Sequence, residues 1–221
     1  MADAALHLIP YALVATASPI GMAATLTVMR AGRLRAVAFA AGVVGGQLLA
    51  GGVLVAIGAA AEGHGPGHLE LRAVLELAAG LALLVLALAV HRRPDPDHVE
   101  SSRGQKLLDR LAEVHVATAA VVGVLLGIGG PKRLVLTALA ATSITAAGLG
   151  HREEAVLVVW YGLLATVVAW APVLAYVVLG RRVVGRVDAG FAWLMRHRRP
   201  VTVWSLVVVG GFLVVDGIVL L

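Results

Sequence analysis

Val116 to Leu149 is a run of 34 residues with no charge outside the stretch Gly127-Ile128-Gly129-Gly130-Pro131-Lys132-Arg133, which cuts it near the middle. As one helix it would reach about 51 Å at a rise of about 1.5 Å per residue. A bilayer core is only about 30 Å thick. The segment is too long to cross once as a straight rod, so the interruption has a purpose. Two cations beside a glycine-rich break at membrane depth are costly unless they line a cavity or a polar path. That points to a transporter rather than an anchor.

Composition supports the membrane reading. The chain is 60% hydrophobic with a mean hydropathy of +0.92, and 14% of it is charged, against about a quarter in soluble domains. The first segment lacks a basic leader and is too apolar for too long to be a removable signal peptide. With no cysteine, dithiol redox chemistry, thiolate zinc sites and iron–sulfur clusters are excluded. The net charge of +5 is read as basic loops lying against anionic lipid, not as a nucleic-acid footprint.

Six spans are predicted: Leu6 to Met29, Ala36 to Ala61, Ala73 to Val90, Val116 to Leu149, Ala155 to Leu179 and Val201 to Leu221. Fourteen of the 18 lysines and arginines fall after spans one, three and five. Those loops are therefore cytoplasmic, and both termini are outside a cytoplasmic membrane. The fourth segment must then make one net crossing. A hairpin there would carry the arginines after span five to the wrong side. Gln105 to His115 and Arg182 to Met195 are amphipathic. They read as interfacial helices or as linkers packed under the bundle.

The halves resemble each other. Thr16-Ala17-Ser18-Pro19, a short apolar helix, a charged turn and the Arg35 to Gly42 helix are matched by Gly129-Gly130-Pro131, Leu134 to Leu149, a turn and the Glu154 to Gly162 helix. Three spans per half force opposite orientations. The fold class expected is an all-α integral membrane protein of six transmembrane helices in two inverted three-helix repeats, with the first and fourth helices interrupted. Residues 1–91 form one repeat, 92–115 a cytoplasmic loop, and 116–221 the second repeat with a cytoplasmic amphipathic segment at 181–199. In such transporters the site lies near the midplane, at the paired breaks. Pro19 and Pro131 each remove a backbone donor. The helix after Pro131 aims its positive end at the break, where Lys132 and Arg133 add donors.

Ser18-Pro19, the Arg30-to-Arg35 turn leading to Phe39 and Gly42, and Gly130-Pro131-Lys132-Arg133-Leu134 followed by Ala140-Ala141 resemble the LysE exporter superfamily. The nearest branch is the sulfolipid-1-addressing, or peptidoglycolipid-addressing (GAP), family of actinobacteria. That branch carries Asn-Pro-Lys in its fourth segment; here Gly130 stands in place of the asparagine. The resemblance implies a small exporter of amino acids, ions or envelope glycolipids.

The candidate substrate-binding residues are Ser18, Pro19, Gln47, Gly130, Pro131, Lys132 and Arg133. Gln47, in mid-span, is either a cavity-lining amide or a bond to a neighbouring helix. Asp216 is a candidate proton-coupling carboxylate, or a hydrated group at the outer interface. Thr137, Thr142, Ser143 and Thr145 are expected to bond back to helical carbonyls. His64 and His68 straddle Gly65-Pro66-Gly67, which disfavours a helical zinc pair, and no metal or other cofactor is expected. No nucleophile–base pair or phosphate loop is present, so an enzyme is not expected. The leading reading is export of an envelope lipid, directly or as an accessory. The alternatives are a proton- or ion-coupled exporter of an amino acid or small cation, and a scaffold for a lipid-synthesis complex. A two-chain lipid would need a homodimer or a groove open to the bilayer.

Overall fold

The computed structural model describes residues 1–16, 19–61, 115–180 and 182–197, with scattered helical positions between 77 and 92 and between 200 and 218. Among the described residues there are eight α-helices: α1 Ala2–Thr16, α2 Pro19–Ala31, α3 Arg33–Ala61, α4 Val116–Ile128, α5 Pro131–Thr145, α6 His151–Ala165, α7 Val167–Leu179 and α8 Arg182–Arg196. The loop helix expected before His115, most of spans three and six, the outer-loop histidines, Ser18 and Asp216 lie outside the described residues. So do the side chains of Pro19, Pro131 and Lys132. Where the third and sixth segments are described they touch: Gly210 stands against Gly80 and Leu84.

Among the described residues one helix, Arg33–Ala59, is long and apolar enough to cross a membrane alone, and three bent pairs, each counted as one span, raise the number to four. The pairs are α1 with α2, α4 with α5 and α6 with α7, bent by 69°, 63° and 73°. The first two interruptions fall where the prolines and glycines place them. The third corrects the expectation of one unbroken helix from Ala155 to Leu179.

Each break has a local cause. After α4, Gly129 takes φ 82°, a conformation that only glycine adopts freely, and its N–H closes onto Leu125 O at 3.1 Å. Gly130 is extended, and Pro131 then opens α5. The expected cause, proline expelled from a continuous helix, is thereby corrected. Pro131 stands at the first helical position, where its missing N–H would have had no partner anyway. After α6, Thr166 leaves helical geometry at φ −111°, ψ 7°. Its hydroxyl donates to Gly162 O at 2.6 Å. A threonine bonding its own helix, followed by Val167 and Val168, loosens a helix end without glycine or proline.

α3 runs straight and sets the register of everything else. Along it, Gly123 meets Phe39 and Val43, Thr137 reaches Gln47, and Thr145 meets Gly58. The α4–α5 path therefore advances in the same direction as α3 throughout. The bend tilts the chain without turning it back. The α6–α7 path runs the other way: Val158 lies beside Gly51, Gly162 beside Leu48 and Gln47, and Arg33 donates a side-chain hydrogen bond to Val177 O.

Two apolar cores stack along α3. One joins Leu8, Tyr11 and Ala12 of α1, Leu136 and Ala140 of α5, and Leu157 and Tyr161 of α6. The other joins Ala24, Val28 and Met29 of α2, Ala36 and Phe39 of α3, Ala119 of α4, and Val173 and Tyr176 of α7. Each broken pair gives one half to each core, so all three breaks fall at one level. α3 and α4 meet through glycines. An added Cβ would stand 2.2 Å from Ala120 O at Gly42, and 2.2 Å from Val43 O at Gly127. Two small-xxx-small faces, Gly42/Gly46 and Gly123/Gly127, thus pack backbone on backbone. The outward surface is apolar, with Leu49, Val53, Ile57, Val121, Leu125 and Leu163 all exposed, as expected where lipid is the solvent.

Candidate functional site at the level of the three breaks

A cavity of about 30 Å³ sits where the breaks meet. It has room for about one or two water molecules, far less than a lipid headgroup. It is lined by Ala15 and Thr16 at the end of α1, Gly21 and Met22 of α2, Phe39 and Val43 of α3, Leu126 of α4, Arg133 of α5, and Ala165, Thr166, Val168 and Ala169 around the α6–α7 break. Every described helix that crosses this level contributes, and among the described lining residues Arg133 is the charged one.

Arg133 follows Pro131 by two residues, so its side chain turns back over the break. A Cβ on Gly129 would strike its methylenes. Its guanidinium donates from Nη1 to Leu126 O at 3.1 Å and from Nη2 to Ala165 O at 2.6 Å. Both are carbonyls that helix ends leave without an N–H donor. Trp170 Nε1 takes a third freed carbonyl, Leu163 O, at 2.9 Å. The two breaks of the second half are therefore tied together by one arginine. Its Nε is buried without an acceptor.

Next to Arg133, on the side of the first core, lies a buried polar cluster. Thr137 Oγ1 donates to Arg133 O at 2.8 Å and accepts from Gln47 Nε2 at 3.1 Å. It lies 3.3 Å from Tyr161 Oη. A hydroxyl has one proton to give. With that proton on Arg133 O, Tyr161 is the donor to Thr137. Gln47, 1% exposed, is left with Oε1 unpartnered.

The expected residues separate as follows. Arg133 lines the cavity and Gly130 is exposed beside it. Gln47 stands at the midpoint of α3 but bonds Thr137 and does not line the cavity. The four hydroxyls expected to bond back do so: Thr137 to Arg133 O, Thr142 and Ser143 to Leu139 O, and Thr145 to Thr142 O. Sequence reasoning missed Thr16, Tyr161 and Thr166. For Thr166 the available signal was a β-branched run on a threonine. For Tyr161 it was a lone phenol in an apolar helix.

At one end of the bundle, Arg30 pairs with Asp188 of α8 at 2.8 Å. Arg33 reaches α7 at the same end, so the turns after spans one and five lie together, as their shared basic character predicts. Val183, Val184 and Val187 of α8 pack inward, and Arg182, Arg186 and Arg196 face out.

No curated protein and no solved structure matches the chain. A family model does, over residues 8–219: Sap, sulfolipid-1-addressing protein. That match takes in nearly all of this helical membrane protein, cavity and breaks included, and the chain belongs to the sulfolipid-1-addressing protein family.

Proposed function

We propose that this protein exports an envelope lipid, or helps another protein to export it, across the cytoplasmic membrane, and that the polar headgroup passes through the level of the three breaks. The observation that carries this reading is the coincidence of three helix interruptions and a cavity holding one buried arginine. Structural scaffolds have little reason to interrupt three of four spanning paths at one depth. Interrupted helices at the midplane supply the polar backbone that a headgroup needs.

The cavity is too small for acyl chains. The chains stay in the bilayer beside the apolar outer faces of α4 and α6, and the headgroup alone passes, once the breaks part and widen a cavity that in this closed form has room only for water. In this reading the chain has six spans as two inverted repeats, both termini are outside, and a homodimer widens the path if one copy is too narrow. The family's name, sulfolipid-1-addressing protein, supports a sulfolipid as the kind of cargo.

Small size also favours a second reading, an exporter of a small solute. Reconstitution separates them. Purified protein in vesicles is predicted to move a headgroup-labelled glycolipid between leaflets, with loss of movement in Arg133→Gln. Envelope lipidomics of a deletion strain is predicted to show one outer lipid depleted and its precursor accumulating inside. Unchanged lipids together with hypersensitivity to an amino acid would replace the first reading with the second.

A further inference from the structure

We propose that Arg133 is an exchangeable clasp, and that a sulfate, phosphate or carboxylate group is what displaces it. In the closed arrangement the guanidinium ties the end of α4 to the end of α6 through Leu126 O and Ala165 O. When an oxyanion enters at the break, the guanidinium turns to it, both carbonyls are released and the two helix ends part. This rests on the export reading and names the chemistry of the group admitted.

Four observations carry it. First, the acceptors now held are neutral carbonyls, and Nε has none. An oxyanion taking Nε and one Nη side by side makes a charge-assisted, two-pronged pair that carbonyls on separate helices do not match. Second, among the described residues Arg133 meets no carboxylate, and an incoming anion gives a guanidinium held there by neutral carbonyls a charged partner. Third, the two carbonyls belong to different broken pairs, so releasing them loosens both breaks of the second half at once. Fourth, among the described residues that line the cavity Arg133 is the one that carries a charge. The guanidinium repels a cation there, and a neutral group has no comparable hold on it.

The chain has no cysteine, so spin labels can be placed without background. Leu125 and Leu163 are exposed on the lipid side, one and two residues before the clasped carbonyls. Leu125→Cys/Leu163→Cys protein is labelled and its distance distribution measured by electron–electron double resonance. The samples are nanodiscs of phosphatidylcholine, the same with sulfate added, and nanodiscs containing phosphatidylglycerol. The clasp predicts a short, narrow distribution in phosphatidylcholine. A longer one with phosphatidylglycerol alone assigns the anion to a lipid headgroup; one with sulfate assigns it to a free oxyanion. Arg133→Gln is predicted to give the longer distribution in every sample. Arg133→Lys keeps the charge but not the fork, and covers the case in which the glutamine variant does not fold. It is predicted to need at least about tenfold more anion for any shift it shows, from the loss of one charge-assisted bond. Native protein that stays short in all three samples overturns the proposal, as does an anion-dependent shift of native size at native anion concentration in Arg133→Lys or Arg133→Gln. Loss of lipid movement with an intact distance response would instead sink the export reading and leave the clasp standing.

Discussion

The two halves of the chain solve the same topological problem with different chemistry. In the first half, α1 and α2 break once, at residues without charge, and α3 then crosses unbroken over 29 residues. In the second half, the α4–α5 break carries Arg133, and the α6–α7 path that follows is itself broken at Thr166. The first half is a mast and the second the hinged part fastened to it. The half-buried guanidinium of Arg133 joins the two breaks of the second half, taking one carbonyl acceptor from each.

That contrast can be tested hardest at its base, where α4 lies on α3. Gly42→Leu or Gly127→Leu drives a side chain into a facing backbone carbonyl. The expected cost is about 3 kcal/mol or more, seen as loss of monodisperse protein on detergent extraction. Gly45 has open space at its Cβ position, and Gly45→Ala is predicted to behave as native.

Next in size is the functional asymmetry of the breaks. Arg133→Gln is predicted to lower lipid movement in vesicles by at least about tenfold, equivalent to about 1.4 kcal/mol. Thr16→Val, which removes only a local bond to Leu13 O, is predicted to leave it within about twofold, well under 1 kcal/mol. Equal losses in the two would erase the distinction between mast and hinge.

A smaller effect tests where mast and hinge join. Thr137→Val leaves the Gln47 amide and the Tyr161 hydroxyl without their shared partner. It is predicted to cost about 1–3 kcal/mol in thermal stability. Thr137→Val combined with Gln47→Leu should recover part of that loss, because a buried amide no longer lacks an acceptor. Smallest of all is Asp188→Asn at the exposed end, where the pair with Arg30 is partly solvated and about 0–1 kcal/mol is expected.

Much of this was legible in the residues. The break at Gly129-Gly130-Pro131 follows from glycine freedom and from a length no bilayer can accept. The placement of Arg30, Arg33 and α8 at one end follows from charge. The amphipathic pattern after Arg181 gave α8 almost to its ends. The break at Thr166 was only faintly legible: a β-branched run on a threonine is common in unbroken spans, and the bond from Arg133 to the adjacent Ala165 O comes from a residue 32 positions earlier in sequence. The role of Arg133 was only half visible. Sequence showed a cation at a break; structure was needed to find it bridging two carbonyls. Gln47 shows the reverse. Its mid-span position suggested a cavity wall, and packing placed it one helical turn away, on Thr137.

The central claim is that the level of the breaks is polar and reachable while the apolar cores on either side are not. Single cysteines in this cysteine-free chain test it most directly: Thr16→Cys and Gly130→Cys at the breaks, against Ala119→Cys and Leu136→Cys in the two cores, each treated in intact membranes with a small water-soluble thiol reagent. The account predicts labelling at the two break positions and none at the two core positions. Break cysteines as inert as those in the cores would contradict it.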